Sequence, residues 1–122
     1  MSLTFTSDLS AVRALVRHCA REAGLSESRA IDLVLAVSEV AANTYQHARS
    51  AGTLEIWHNT DEIVCQVRDK GIITDPLAGR RRPAVDAMGG HGLWLVNQVC
   101  DRVELRSGES GTTIRLHMFL HS

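Results

Sequence analysis

Glu39 and Asn43 are the first residues whose types and spacing could do chemistry. They lie four positions apart in a helical pattern, so their side chains project from one face about one turn apart. A carboxylate can accept a proton from a substrate hydroxyl, and an amide oxygen can hold Mg²⁺ without adding charge. The structural alternative is a glutamate at a helix edge that reaches water with Asn43 as its partner, because this spacing is common by itself.

Asp69 and Gly71 form a second pair, at the end of a strand predicted over residues 62–69. The alternation of apolar residues puts Asp69 in the inward-facing row of that strand. Its carboxylate would then face a cavity and accept a hydrogen bond from the exocyclic amine of an adenine, while Gly71 would let the base approach the backbone. A strand end followed by a turn, where Asp and Gly are frequent, is the structural alternative.

A glycine-rich segment, Gly90-His91-Gly92, stands immediately before an apolar helix predicted from Leu93 to about Cys100. The backbone N–H groups at a helix start are unpaired and the helix dipole favours an anion there, so phosphate oxygens could bind. The alternative is a flexible connection, with His91 in a turn position.

Thr112 is the fourth candidate, in the last predicted strand. Strand parity places its hydroxyl on the inward face beside Asp69, where it could bond the same base directly or through a water. Its alternative role is structural, because β-branched residues favour strands.

Periodicity and turn residues predict the elements that must position these side chains. In chain order they are a strand over 3–6, a helix capped by Ser7 or Asp8 and stopped by Gly24, a helix from Ser26 or Ser28 to about His47, strands over 53–59 and 62–69, a helix over 93–100, and strands over 102–107 and 112–120. The middle of the second helix is apolar almost all round, which predicts burial on most sides. The pattern indicates an α/β two-layer sandwich, with one mostly antiparallel sheet and helices on one side.

Composition excludes several other classes of protein. The 122 residues fit one domain, 1–122, and the net charge of -1 gives no general grip on nucleic acid or anionic lipid. No apolar run is long enough to span a bilayer, and the first residues do not resemble a secretory signal. Three widely spaced cysteines predict buried, reduced thiols in a cytoplasmic protein. Residues 70–89 show no period and are predicted to form a mobile lid, with Arg80, Arg81 and Arg82 on a solvated face.

Taken in order, these segments resemble the motifs of the GHKL superfamily of ATPases and kinases. Residues 38–48 (Ser-Glu-Val-Ala-Ala-Asn-Thr-Tyr-Gln-His-Ala) look like its N box, and Asp69-Lys70-Gly71 resembles its adenine box. Residues 90–96 resemble its glycine box, and residues 111–114 its terminal Gly-Thr box. The chain is most similar to the anti-sigma-factor serine/threonine kinases within this superfamily, because the His47-Ala48 that follows the N-box Asn43 is typical of them.

The resemblance implies a Bergerat fold, a mixed and mostly antiparallel sheet of about five strands with three helices on one face, and ATP and Mg²⁺ as cofactors. It implies that Glu39 is the general base, that Asn43 binds Mg²⁺, and that Asp69, Gly71 and Thr112 recognise adenine. The resemblance also puts Gly90 and Gly92 at the phosphates, and it counts His91 and Leu93 as nucleotide-binding. The implied partner is an anti-sigma-factor antagonist that accepts the phosphoryl group; a sigma factor and a homodimer stay open.

The adenine box departs from the usual Asp-x-Gly-x-Gly, because Ile73 stands where the second glycine is expected. This departure keeps a second hypothesis open, a catalytically weak module that binds nucleotide or only a partner. A third is the catalytic domain of a larger sensor kinase, which would need an acceptor-histidine helix elsewhere.

Overall fold

The computed structural model describes residues 1–48, 51–69, 90–108 and 111–120, with side chains throughout except at 46–48 and 90–93. The elements in chain order are β1 (Ser2–Phe5), α1 (Ser10–Ala23), α2 (Glu27–Ala48), β2 (Gly52–His58), β3 (Glu62–Asp69), α3 (Gly90–Val99), β4 (Arg102–Gly108) and β5 (Gly111–Phe119). The predicted order of helices and strands is confirmed. The predicted lid, 70–89, lies outside the described residues.

The five strands form a single sheet in the order β1-β2-β3-β5-β4. All pairings in the described part of the chain are antiparallel, which confirms the predicted α/β fold with a mostly antiparallel sheet of five strands and three helices. β2 and β3 are consecutive in the chain, as are β4 and β5, whereas α1 and α2 separate β1 from β2, and β5 lies between β3 and β4 in the sheet. None of the helices in the described ranges has the length and apolar composition that crossing a bilayer requires.

The core lies between one face of the sheet and the three helices. Residues buried there come from alternate positions of the strands and from the inner faces of the helices; the largest that are fully buried are Leu33, Leu54, Ile63, Leu116, Met118, Val12, Val16, Val37, Val40, Val67 and Val96. Cys19, Cys65 and Cys100 are buried and free, as the spacing predicted. Burial raises the pKa of the Cys100 thiol to about 12.

The ends of α1 show one difference from the sequence prediction. The N-cap is Leu9 and no side chain caps it, whereas Asp8 lies one residue before it and accepts a hydrogen bond from the Ser10 N–H at 3.0 Å. Neither Ser7 nor Asp8 is therefore the N-cap. The predicted stop is confirmed: Gly24 has φ of 94°, a left-handed conformation that glycine adopts without a Cβ clash.

One stripe of α2 is exposed, although its apolar sequence predicted burial on most sides. Ile31 and Leu35 are 56% and 43% exposed. The helix packs against α1, α3 and the sheet, and these contacts use its other sides. The apolar pattern correctly placed the core face and wrongly extended burial to the outer stripe.

Gly52 provides a test of packing between β1 and β2. It pairs with Phe5, and a Cβ added at Gly52 would lie 2.4 Å from the Cζ atom of the buried Phe5 ring. We expect Gly52→Ala to lower the free energy of unfolding by about 1–3 kcal/mol, because the ring must leave its packed position. Urea denaturation measures this. Gly108→Ala is the control, since nothing lies within 4 Å of its Cβ position; equal stability of the two variants would contradict the prediction.

Candidate functional site

The C-terminal half of α2 and the end of β3 lie at the same end of the sandwich. Only residues 49–51 separate Ala48, at the end of α2, from Gly52, at the start of β2. Because three residues span a short distance even when extended, these two ends must lie close together. Thr53, the next residue of β2, pairs with Arg68, so Asp69 ends β3 at the same end of the sheet at which β2 begins. The topology therefore brings the Asn43 end of α2 toward the strand end that carries Asp69.

The turn of the β4–β5 hairpin lies at the same end of the sheet as Asp69. Gly108 pairs with Gly111 there, whereas the Asp101 N–H donates to the His117 carbonyl at 3.0 Å, at the opposite end of the sheet. Helix α3 ends beside that opposite end of the sheet and packs against α2 and β4. The first residues of α3 lie about 15 Å from its last ones, so we expect them to lie toward the end of the sheet that carries Asp69.

Asp69 and Thr112 are direct partners in the β3–β5 ladder. Residues opposite each other in an antiparallel pair share a face, with Cβ atoms about 4.5–5.5 Å apart. The shared face is the core face, because the preceding pair in that row, Val67 and Ile114, is buried. Thr112 is 2% exposed and Asp69 is half-buried. The placement that strand parity predicted for these two side chains is confirmed.

Ser107 extends this row into β4, and sequence reasoning gave it no role. It pairs with Thr112, and the two hydroxyl oxygens are 2.9 Å apart, within hydrogen-bonding distance. The signal that could have found it is parity with Val103 and Leu105, the apolar positions of β4. Asp69, Thr112 and Ser107 thus form a polar row at the edge of an otherwise apolar face.

Glu39 is half-buried and lines a surface groove of about 570 Å³ between α1 and α2. Most of its lining is apolar, and the polar contact next to Glu39 is the one in which the Arg13 Nε donates to the Ser38 hydroxyl at 3.3 Å. The Glu39 carboxylate therefore keeps access to solvent at the rim of this groove. Asn43, one turn further along α2, is half-buried.

The glycine-rich segment lies inside α3. Gly90, His91, Gly92 and Leu93 are the first four residues of this helix, which therefore begins three residues before the predicted start. Glycine disfavours a helix by only about 1 kcal/mol, which packing of the apolar face can outweigh. These four positions are the ones whose N–H groups have no acceptor within the helix. Gly71, the remaining predicted site residue, lies outside the described residues.

Comparisons with known proteins identify the family of this chain and its fold. Residues 4–118 match the histidine kinase-like ATPase domain family. The chain is 29% identical over 123 residues to the serine-protein kinase RsbW of Halalkalibacterium halodurans, a match that covers 89% of this chain and 74% of that protein.

Two solved structures have the same fold. One is the blue-light activated histidine kinase of Erythrobacter litoralis EL346, with a TM-score of 0.62, 20% identity and 92% of this chain covered. The other is the histidine kinase domain of the same protein, with a TM-score of 0.60 and the same identity and coverage. The chain spans 42% and 59% of these two structures. The GHKL resemblance is confirmed, and this chain belongs to the family of histidine kinase-like ATPase domains.

Proposed function

We propose that this chain is a protein serine/threonine kinase that uses Mg-ATP to phosphorylate an anti-sigma-factor antagonist. The family supports nucleotide binding, and the likeness to a serine-protein kinase supports hydroxyl phosphorylation. The structural observation that carries the proposal is the pairing of Asp69 with Thr112 on the core face, at the end of the sheet near the C-terminus of α2.

Asp69 and Thr112 are the proposed adenine-binding residues. An ionised carboxylate only accepts hydrogen bonds, so it matches the exocyclic amine of adenine and opposes the O6 oxygen of guanine. Thr112 offers both a donor and an acceptor through its hydroxyl. The neighbouring buried pair, Val67 and Ile114, is apolar, which suits the faces of a purine ring.

Glu39 and Asn43 are the proposed residues that act at the phosphate end. Among the described residues, no group of three or more His, Cys, Asp or Glu side chains could hold a metal ion. Mg²⁺ favours a few protein oxygens plus substrate phosphates, and the amide oxygen of half-buried Asn43 fits that donor set. The ion would neutralise charge on the phosphates.

In the proposed reaction, Glu39 accepts the proton of the substrate hydroxyl as its oxygen attacks the γ-phosphorus and ADP leaves. The groove that Glu39 lines is open to solvent, so a protein substrate can reach this carboxylate. The N–H groups of the first turn of α3, Gly90 to Leu93, are the proposed phosphate donors.

Two other functions remain as alternatives. Ile73 in place of a glycine favours a module that binds nucleotide, or only a partner such as a sigma factor, and regulates without turnover. The fold shared with histidine kinases favours the catalytic domain of a larger sensor kinase, since this chain spans about half of those structures.

Calorimetry with Mg-ATP, followed by phosphotransfer to a cognate antagonist, separates these functions. We expect ATP to bind, to raise the melting temperature, and to give phosphoserine or phosphothreonine on the antagonist. Binding without transfer would favour the regulatory module. Absence of both binding and thermal stabilisation would contradict the nucleotide site itself.

A further inference from the structure

We propose that Ser107 is a positioning residue for purine recognition, which acts by orienting the hydroxyl of Thr112. The proposal rests on the proposed function, because it assigns a role within the adenine site. It concerns a residue of β4 that none of the predicted motifs contains. The observation behind it is the 2.9 Å contact between the two hydroxyl oxygens.

The contact restricts how the Thr112 hydroxyl can point. Thr112 is a partner of both Asp69 and Ser107, because β5 lies between β3 and β4. A hydroxyl has one proton and two acceptor positions, so the choice made at Ser107 decides what Thr112 presents to a third group. If Ser107 donates, the Thr112 proton is directed elsewhere; if Thr112 donates, its oxygen is left as an acceptor.

The difference in burial makes this control effective. Thr112 is 2% exposed, so water cannot easily supply a bond that Ser107 loses, whereas Ser107 lies exposed on an edge strand. A hydrogen bond to a buried group contributes more when its loss cannot be compensated by solvent. Substitution of the exposed partner therefore changes the buried hydroxyl without opening a cavity in the core.

The consequence for ligand choice follows from the edges of the bases. Adenine carries an amine donor where guanine carries the O6 acceptor, so a Thr112 hydroxyl of fixed direction distinguishes them, and one free to rotate serves both. Ser107 would thus add to the selectivity for adenine over guanine that the Asp69 carboxylate provides. A purely structural hydroxyl pair would hold the hairpin together and leave the ratio of the affinities for ATP and GTP unchanged.

The test measures the affinities for Mg-ATP and Mg-GTP of the wild type, Ser107→Ala, Ser107→Thr and Arg106→Ala by calorimetry. Arg106 is the neighbouring exposed position of the same strand, with its side chain on the opposite face. We expect Ser107→Ala to lower ATP affinity about threefold to tenfold and to lower the ATP-to-GTP ratio. Ser107→Thr should restore both values, and Arg106→Ala should change neither.

An unchanged ratio in Ser107→Ala, an equal loss in Arg106→Ala, or no rescue by threonine would overturn the role of Ser107 while leaving the proposed kinase intact. Failure of the wild type to bind ATP would instead remove the proposed function, and the Ser107 proposal with it. Melting temperatures of the unliganded variants establish that each one folds.

Discussion

Glu39→Ala is expected to reduce phosphotransfer by about 10²- to 10⁴-fold, because the substrate hydroxyl loses the carboxylate that accepts its proton. Nucleotide affinity should stay within a few-fold of the wild type, since Glu39 lies in the groove between α1 and α2 and not in the row that carries Asp69. Single-turnover transfer of labelled phosphate to the antagonist measures the rate, and calorimetry measures the binding.

Glu27→Ala is the matched control for Glu39. Glu27 lines the same groove, begins the same helix, and has a 59% exposed side chain whose ion pairs with Arg17 and Arg21 are long, at 3.5 Å. Exposed pairs of this kind contribute about 0–1 kcal/mol, and Glu27 lies about three turns of α2 away from Glu39, so the substitution should keep the fold and leave transfer unchanged. Equal rates for Glu39→Ala and the wild type would remove Glu39 from the base role.

Asp69→Asn is expected to weaken ATP binding by about tenfold to a hundredfold. Hydrogen bonds to charged groups contribute about 1.5–3 kcal/mol, and the amide both loses that charge and can present a donor to the adenine amine. GTP affinity should fall less, because guanine carries the O6 acceptor where adenine carries the amine that donates to the carboxylate. Calorimetry with each nucleotide gives the two ratios.

Asp61→Asn controls for the loss of one negative charge, because Asp61 is exposed in the turn between β2 and β3. Melting of the unliganded proteins separates a loss of binding from a loss of folding. If Asp69→Asn and Asp61→Asn bound ATP equally well, Asp69 would have no part in recognising the base.

Local patterns were sufficient for much of the fold. The alternation in β3 placed Asp69 on the core face, and the glycine after α1 marked its end, because both signals depend on neighbouring residues alone. The start of α3 was misplaced, since glycines at 90 and 92 lower helix propensity and the prediction had no means of weighing that against packing. The same limit applied to Ile31 and Leu35, whose apolar character does not reveal whether another element covers them.

The sequence by itself determined the kinds of helices and strands, their order, and the residue types that could recognise a base and accept a proton. Only the tertiary structure decided that β5 lies between β3 and β4, which places Asp69, Thr112 and Ser107 in one row. The physical reason is that periodicity records which face of a strand is buried. Which strands become neighbours depends on packing and hydrogen bonding between segments far apart in the chain.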